Sequence, residues 1–145
     1  MSGRIEEQAP PVANEHPPSW PMLLSRLSDR GLPSRYVPEP TEDVMERFVQ
    51  DMQARHELGV ARYGVPLQPF NGRDPFLDAY QEALDQMVYL MSALYEAQNA
   101  GERELAQRVA KLLDRSVGLA YSLLAEIAAL ETLQEDSSQE EEEEL

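Results

Sequence analysis

The chain contains no cysteine and only two histidines in 145 residues. That composition excludes a disulfide framework, a thiolate metal site, a cysteine nucleophile and a histidine-rich metal cluster. Any metal must be held by oxygen ligands. Basic residues are also scarce, with 12 Lys+Arg against 27 Asp+Glu and a formal charge of -15, and Lys111 is the single lysine. Such an acidic excess repels nucleic-acid polymers and anionic membranes, so neither is expected as a partner. Residues 1 to 7 lack the apolar stretch of a signal peptide, and no later run is expected to be long enough to cross a bilayer. The default is a soluble, cytoplasmic protein. What remains is 42% hydrophobic, enough for the core of one ordinary domain.

Both ends are poor in core-forming sequence. Residues 1 to 40 hold eight of the eleven prolines, including Pro10-Pro11 and Pro17-Pro18, and read as an extended or mobile arm. Within it, Trp20 to Leu27 fits a short helix ending before Gly31, with Trp20, Leu24 and Leu27 facing the domain. At the other end, residues 135 to 145 carry seven acidic and no basic residues. Like charges without apolar partners cannot offset ordering entropy, so this tail is expected to be disordered. The compact domain is assigned to residues 41 to 134.

That domain reads as three long helical segments. The first begins at Thr41, a capping residue followed by Glu42 and Asp43, and Gly64 with Pro66 ends it. Val44, Met45, Phe48, Val49, Met52 and Val60 define its apolar face. After a loop containing the Asn71-Gly72 turn signal, Asp74-Pro75 opens the second segment, which runs to about Asn99. Its apolar residues span an arc of roughly 160° at 100° per residue, the pattern of a central helix. The third segment, Glu102 to about Gln134, has a heptad-like stripe through Leu105, Val109, Leu112, Leu119 and Leu123, and is either one helix or two broken near Gly118. No segment alternates as a strand would. The fold is therefore expected to be all-α, a bundle of three to four helices completed by oligomerisation.

Asp78, Glu82 and Asp85 form the strongest local constellation. Spacings of four and three place their carboxylates within roughly 60° of one another on one helix. Side by side in water such charges repel by a few tenths of a kcal/mol per pair, and a divalent cation reverses the sign. The plainer alternative is a solvated helix face, against which Tyr89 stands, since it continues the same stripe. On the first helix, Glu57 and Asp51 are alternative further carboxylates. Arg55, Arg62 and Arg73 bracket the following loop and offer planar forks for phosphate oxygens. His56 reads as structural and His16 as idle.

The run Arg55 to Gly64, then Leu67, Asn71-Gly72-Arg73-Asp74, Asp78 to Asp85 and Tyr89-Leu90 resembles the all-α nucleoside triphosphate pyrophosphohydrolases, and more narrowly the small MazG-like proteins of phages and bacteria. The resemblance covers about residues 44 to 96. It implies a Mg²⁺-dependent enzyme, with Mn²⁺ as an alternative ion, that converts a nucleoside triphosphate to a monophosphate and pyrophosphate. Glu82 and Asp85 match that superfamily's Glu-x-x-Asp pair, with Asp78 beside them as a further metal ligand. The Glu-x-x-Glu pair expected on the preceding helix is absent, leaving Glu57 or Asp51 to complete the cage or orient water. Arg55, Arg62, Tyr63, Asn71 and Arg73 are the implied substrate-binding residues, and a homodimer or homotetramer is the implied assembly.

Overall fold

A computed structural model describes residues 8–33, 35, 38–39 and 41–144. The fold is all-α: α1 (Ser19–Arg30), α2 (Glu42–Tyr63), α3 (Pro75–Asn99) and α4 (Arg103–Glu143), with no strand among the described residues. The chain divides into two compact units, Gln8–Arg73 and the chain from Asp74 onward. The break falls inside the span expected to form one domain, and the proline-rich arm belongs with α2.

In the first unit, α1 packs on α2 and ends at Gly31. Trp20, Leu24 and Leu27 are the half-buried large apolar residues of α1, the three expected to face inward. α2 closes at Gly64, whose φ of 74° is left-handed and whose N–H donates to the Val60 carbonyl. Its apolar face is covered much less than its periodicity implies. Met52 is buried and Met45 and Val60 half-buried, whereas Val44, Phe48 and Val49 are exposed. A short α1 cannot span the wide apolar arc of a 22-residue helix.

The arm is extended but anchored. Val12 N–H donates to the Asn71 carbonyl at 2.8 Å and Ser19 N–H to the Leu67 carbonyl at 2.7 Å. Between them, Asn14 N–H donates to Gln68 Oε1, and Gln68 Nε2 donates in return to the carbonyls of Asn14 and His16. Proline has no N–H, so a proline-rich segment carries more carbonyl acceptors than donors and must find donors elsewhere. The buried Gln68 supplies them.

The second unit is a helical hairpin. Asp74 caps α3, its Oδ1 accepting from Phe76 N–H and Leu77 N–H, with Pro75 in the first turn. At the other end Gly101, with φ 75°, reverses the chain: Glu102 N–H donates to the Ala97 carbonyl and Gly101 N–H to the Gln98 carbonyl. These are the two bonds of a Schellman motif, and they return α4 directly along α3. The interface is built from small residues, with Ala83, Ala97, Ser116 and Ala120 all buried beside Val109 and Ile127. Ser116 Oγ donates to Gln86 Oε1 at 2.8 Å, satisfying the one polar side chain buried there.

α4 is one helix, uninterrupted at Gly118, and it continues through Glu143 where disorder is expected from the charge run. Once some thirty residues have nucleated the helix, each added Glu or Gln contributes favourable propensity at little further cost. Residues 132 to 144 are all exposed, so tertiary packing contributes nothing to that last stretch. α4 also holds an 18-residue window long and apolar enough to cross a membrane, unlike the expectation that no run would be. Only 17% of that window is buried within the chain, so most of its apolar surface is uncovered.

The two glycines of this hairpin should respond oppositely to alanine. At Gly101 a left-handed residue gains a Cβ, costing about 1–2 kcal/mol. At Gly118 the added Cβ meets nothing within 4 Å, and helix propensity should stabilise by about 0.5–1 kcal/mol. Urea titrations of Gly101→Ala and Gly118→Ala read both signs, and Ala120→Leu should destabilise by about 1–3 kcal/mol through overpacking.

Candidate functional site

α3 presents three distinct faces, separated by its advance of roughly 100° per residue. One carries Ala83, Met87, Leu90, Leu94 and Ala97 toward α4. On one flank of that face lie Leu84, Val88, Met91 and Tyr95, at spacings of four, three and four. The last three of them are exposed. On the opposite flank lie Asp78, Glu82, Asp85 and Tyr89. The carboxylate stripe is therefore a separate surface from the exposed apolar one, and α4 locks the helix that bears both.

Glu82 and Asp85 are exposed, and Tyr89 beside them is 71% exposed. Asp78 is half-buried and already engaged in interactions of its own. Among the described residues no three His, Cys, Asp or Glu side chains converge closely enough to enclose a metal ion. The residues therefore do not form an all-protein cage. They do fit the partial site that Mg²⁺ commonly uses, one or two carboxylates with the remaining positions taken by water and substrate phosphate.

The α2 candidates lie on different sides of their helix. Asp51 is exposed and within 3.8 Å of the Arg47 guanidinium one turn earlier, an exposed pair of little energetic weight. Glu57 accepts from Gln53 Nε2 at 3.3 Å and is also exposed. Asp51 and Glu57 are six positions apart, a rotation of roughly 120°, so one ion cannot use both on a straight helix. Arg55 is exposed, and the Arg62 guanidinium rests 5.4 Å from the Tyr63 ring centre at the end of α2, both side chains open to solvent. His56 is half-buried, with Nδ1 enclosed and lacking a hydrogen-bond partner.

Asn71 and Arg73, the residues expected to meet substrate, hold the arm in this structure. Asn71 is buried, its carbonyl accepting from Val12 and its Oδ1 from Arg73 N–H at 3.1 Å. Arg73 Nη1 donates to the Ala9 carbonyl at 2.8 Å and the Gln8 carbonyl at 3.3 Å. Gln68 and Asn14, which residue-level reading passes over, are the centre of this network. Their sequence signal is the carbonyl-rich, donor-poor arm itself, which obliges some donor cluster to receive it.

The carboxylate stripe has a thermodynamic signature. Replacing Glu82 and Asp85 by Gln and Asn should stabilise the metal-free protein by a few tenths of a kcal/mol, because like charges one turn apart repel. If the stripe binds a metal-bound triphosphate, added Mg²⁺ with a nucleoside triphosphate raises the thermal midpoint of the native chain and leaves that of the Glu82→Gln/Asp85→Asn variant unchanged. Differential scanning fluorimetry separates the two responses.

Comparisons with protein-family models, with curated proteins and with solved structures give no match to this chain.

Proposed function

We propose that the chain is a Mg²⁺-dependent nucleoside triphosphate pyrophosphohydrolase. The observation that carries this reading is the Glu82-x-x-Asp85 pair, exposed and aligned on one face of α3 while α4 fixes that helix from another. The reaction is the one that the resemblance of residues 44 to 96 to MazG-like proteins implies. A bound Mg²⁺ would offset charge on the phosphoryl oxygens and acidify an attacking water. Glu82 and Asp85 would hold the ion, with Asp78 one turn earlier as a further ligand. Arg55 and Arg62 are exposed forks suited to phosphate.

Cleavage adds water across the α,β phosphoanhydride: the water oxygen bonds to one phosphorus as the P–O bond to the bridging oxygen breaks, releasing a nucleoside monophosphate and pyrophosphate. A pyrophosphate-release assay over canonical and modified dNTPs with Mg²⁺ tests this. Turnover should fall by at least about 100-fold in Glu82→Gln or Asp85→Asn, the scale of losing a charge-stabilising group at the reacting phosphate. Absence of pyrophosphate with every nucleotide, together with nucleotide affinity indifferent to both substitutions, rejects the proposal. Affinity without turnover identifies a nucleotide-binding protein that has lost the reaction.

One observation favours a second reading, a noncatalytic helical interaction module. Val88, Met91 and Tyr95 on α3, and Leu105, Leu112 and Leu119 at seven-residue spacing on α4, are exposed. Stripes at heptad spacing are the usual contact surfaces of helix pairs, and a homodimer or homotetramer would cover them. Both readings share this surface and differ in the stripe opposite. Sedimentation should show an assembly larger than a monomer for the native chain. Val88→Glu with Met91→Glu should shift it to the monomer if this stripe is the interface.

A further inference from the structure

The arm and the loop it crosses have features that a passive tether does not need. The segment Gln8–Ser19 meets the loop 65 to 73 through backbone and side chain at every second or third position. Asn14 alone makes several contacts: Nδ2 donates to the carbonyls of Pro69 and Phe70 at 2.9 and 3.0 Å, while Oδ1 accepts from His16 N–H. The His16 ring rests against Phe70, with centroids 4.6 Å apart. Phe70 itself has φ 56°, a left-handed conformation costly for an aromatic residue, and its side chain is 80% exposed. Burial of the ring does not explain that conformation. The bonds from Asn14 to Pro69 and Phe70 do, since they fix the peptide groups on both sides of Phe70.

The same contact engages Arg73, whose Nη1 is directed at two arm carbonyls. A carbonyl oxygen is a neutral acceptor, and a phosphate oxygen offers the same hydrogen bond with a full charge behind it. Pro10, Pro11, Pro17 and Pro18 stiffen the arm, so it loses little entropy on docking and little is regained on release. Entropy therefore does little to drive release, and a competing ligand must win on charge: a phosphate oxygen offers the Arg73 guanidinium a full negative charge where the arm offers only carbonyl dipoles.

We propose that Gln8–Ser19 is a displaceable strap: docked, it holds loop 65 to 73 in its strained form and engages Arg73, and a nucleoside triphosphate competes with it for that guanidinium. This deepens the pyrophosphohydrolase reading and rests on it. In the strapped state Arg73 is turned to the arm. When phosphate takes Arg73, the arm loses its Gln8 and Ala9 contacts and Phe70 is free to relax.

The test uses the full chain and an α,β-nonhydrolysable dNTP with Mg²⁺. Val12→Pro removes the Val12 N–H donor while suiting an extended arm, and Asn14→Ala removes both bonds flanking Phe70. Neither residue belongs to the proposed metal or phosphate machinery. The double variant should bind the nucleotide roughly five- to tenfold more tightly, the scale of one net hydrogen bond no longer in competition. In the native chain, saturating nucleotide should speed hydrogen exchange at the Asn14 and Ser19 amides, because competition is reciprocal. Equal affinity within about twofold, or native exchange unchanged at saturation, overturns the strap and leaves the hydrolase reading standing. Absence of nucleotide binding in both native and variant chains overturns the hydrolase reading and the strap with it.

Discussion

The packing of α3 against α4 through Ala83, Ala97, Ser116 and Ala120 sets what every other surface of that hairpin can do. Small side chains let two backbones approach without large interdigitating groups, and the Schellman turn at Gly101 holds the register from one end. The consequence is a narrow interface. It uses one face of each helix and leaves two flanks of α3 uncommitted, one apolar and one acidic. A larger core would have consumed the apolar flank and hidden the distinction between them.

That economy explains why so much hydrophobic surface remains open. Val88, Met91, Tyr95, Leu112 and Leu119 are exposed because a two-helix hairpin has only one inside. On α2 the same limit applies: Met52 is buried, while Val44, Phe48 and Val49 are left to solvent. The first unit makes up part of the shortfall with polar contacts. Gln68 and Asn71 are buried, and they are satisfied by the arm's backbone, as buried polar groups must be.

The proposed chemistry and the proposed control draw on different resources. The Glu82–Asp85 pair depends on the 3.6-residue period of one rigid helix, so its alignment is local and robust. Arg73 depends on arm carbonyls more than sixty residues earlier in the chain. The strain at Phe70 lies in the loop that carries Arg73.

Local signals made the helices legible. Asp74-Pro75, Gly64 before Pro66, and Gly31 each fix an end through backbone chemistry that needs no distant partner, and periodicity placed Asp78, Glu82 and Asp85 on one face. The sequence by itself thus determined an all-α chain, its helix limits before residue 134, and the carboxylate stripe. Tertiary structure decided the rest: that the arm docks and does not roam, that Asn71 and Arg73 serve it, that the chain divides at Arg73, and which apolar residues remain uncovered. The docking of the arm and the roles of Asn71 and Arg73 rest on contacts between residues 48 to 65 positions apart, whose donors and acceptors match only once the chain has folded. The continuation of α4 through the acidic tail was missed for the converse reason, because a helix already nucleated propagates through residues whose charges alone would argue against order.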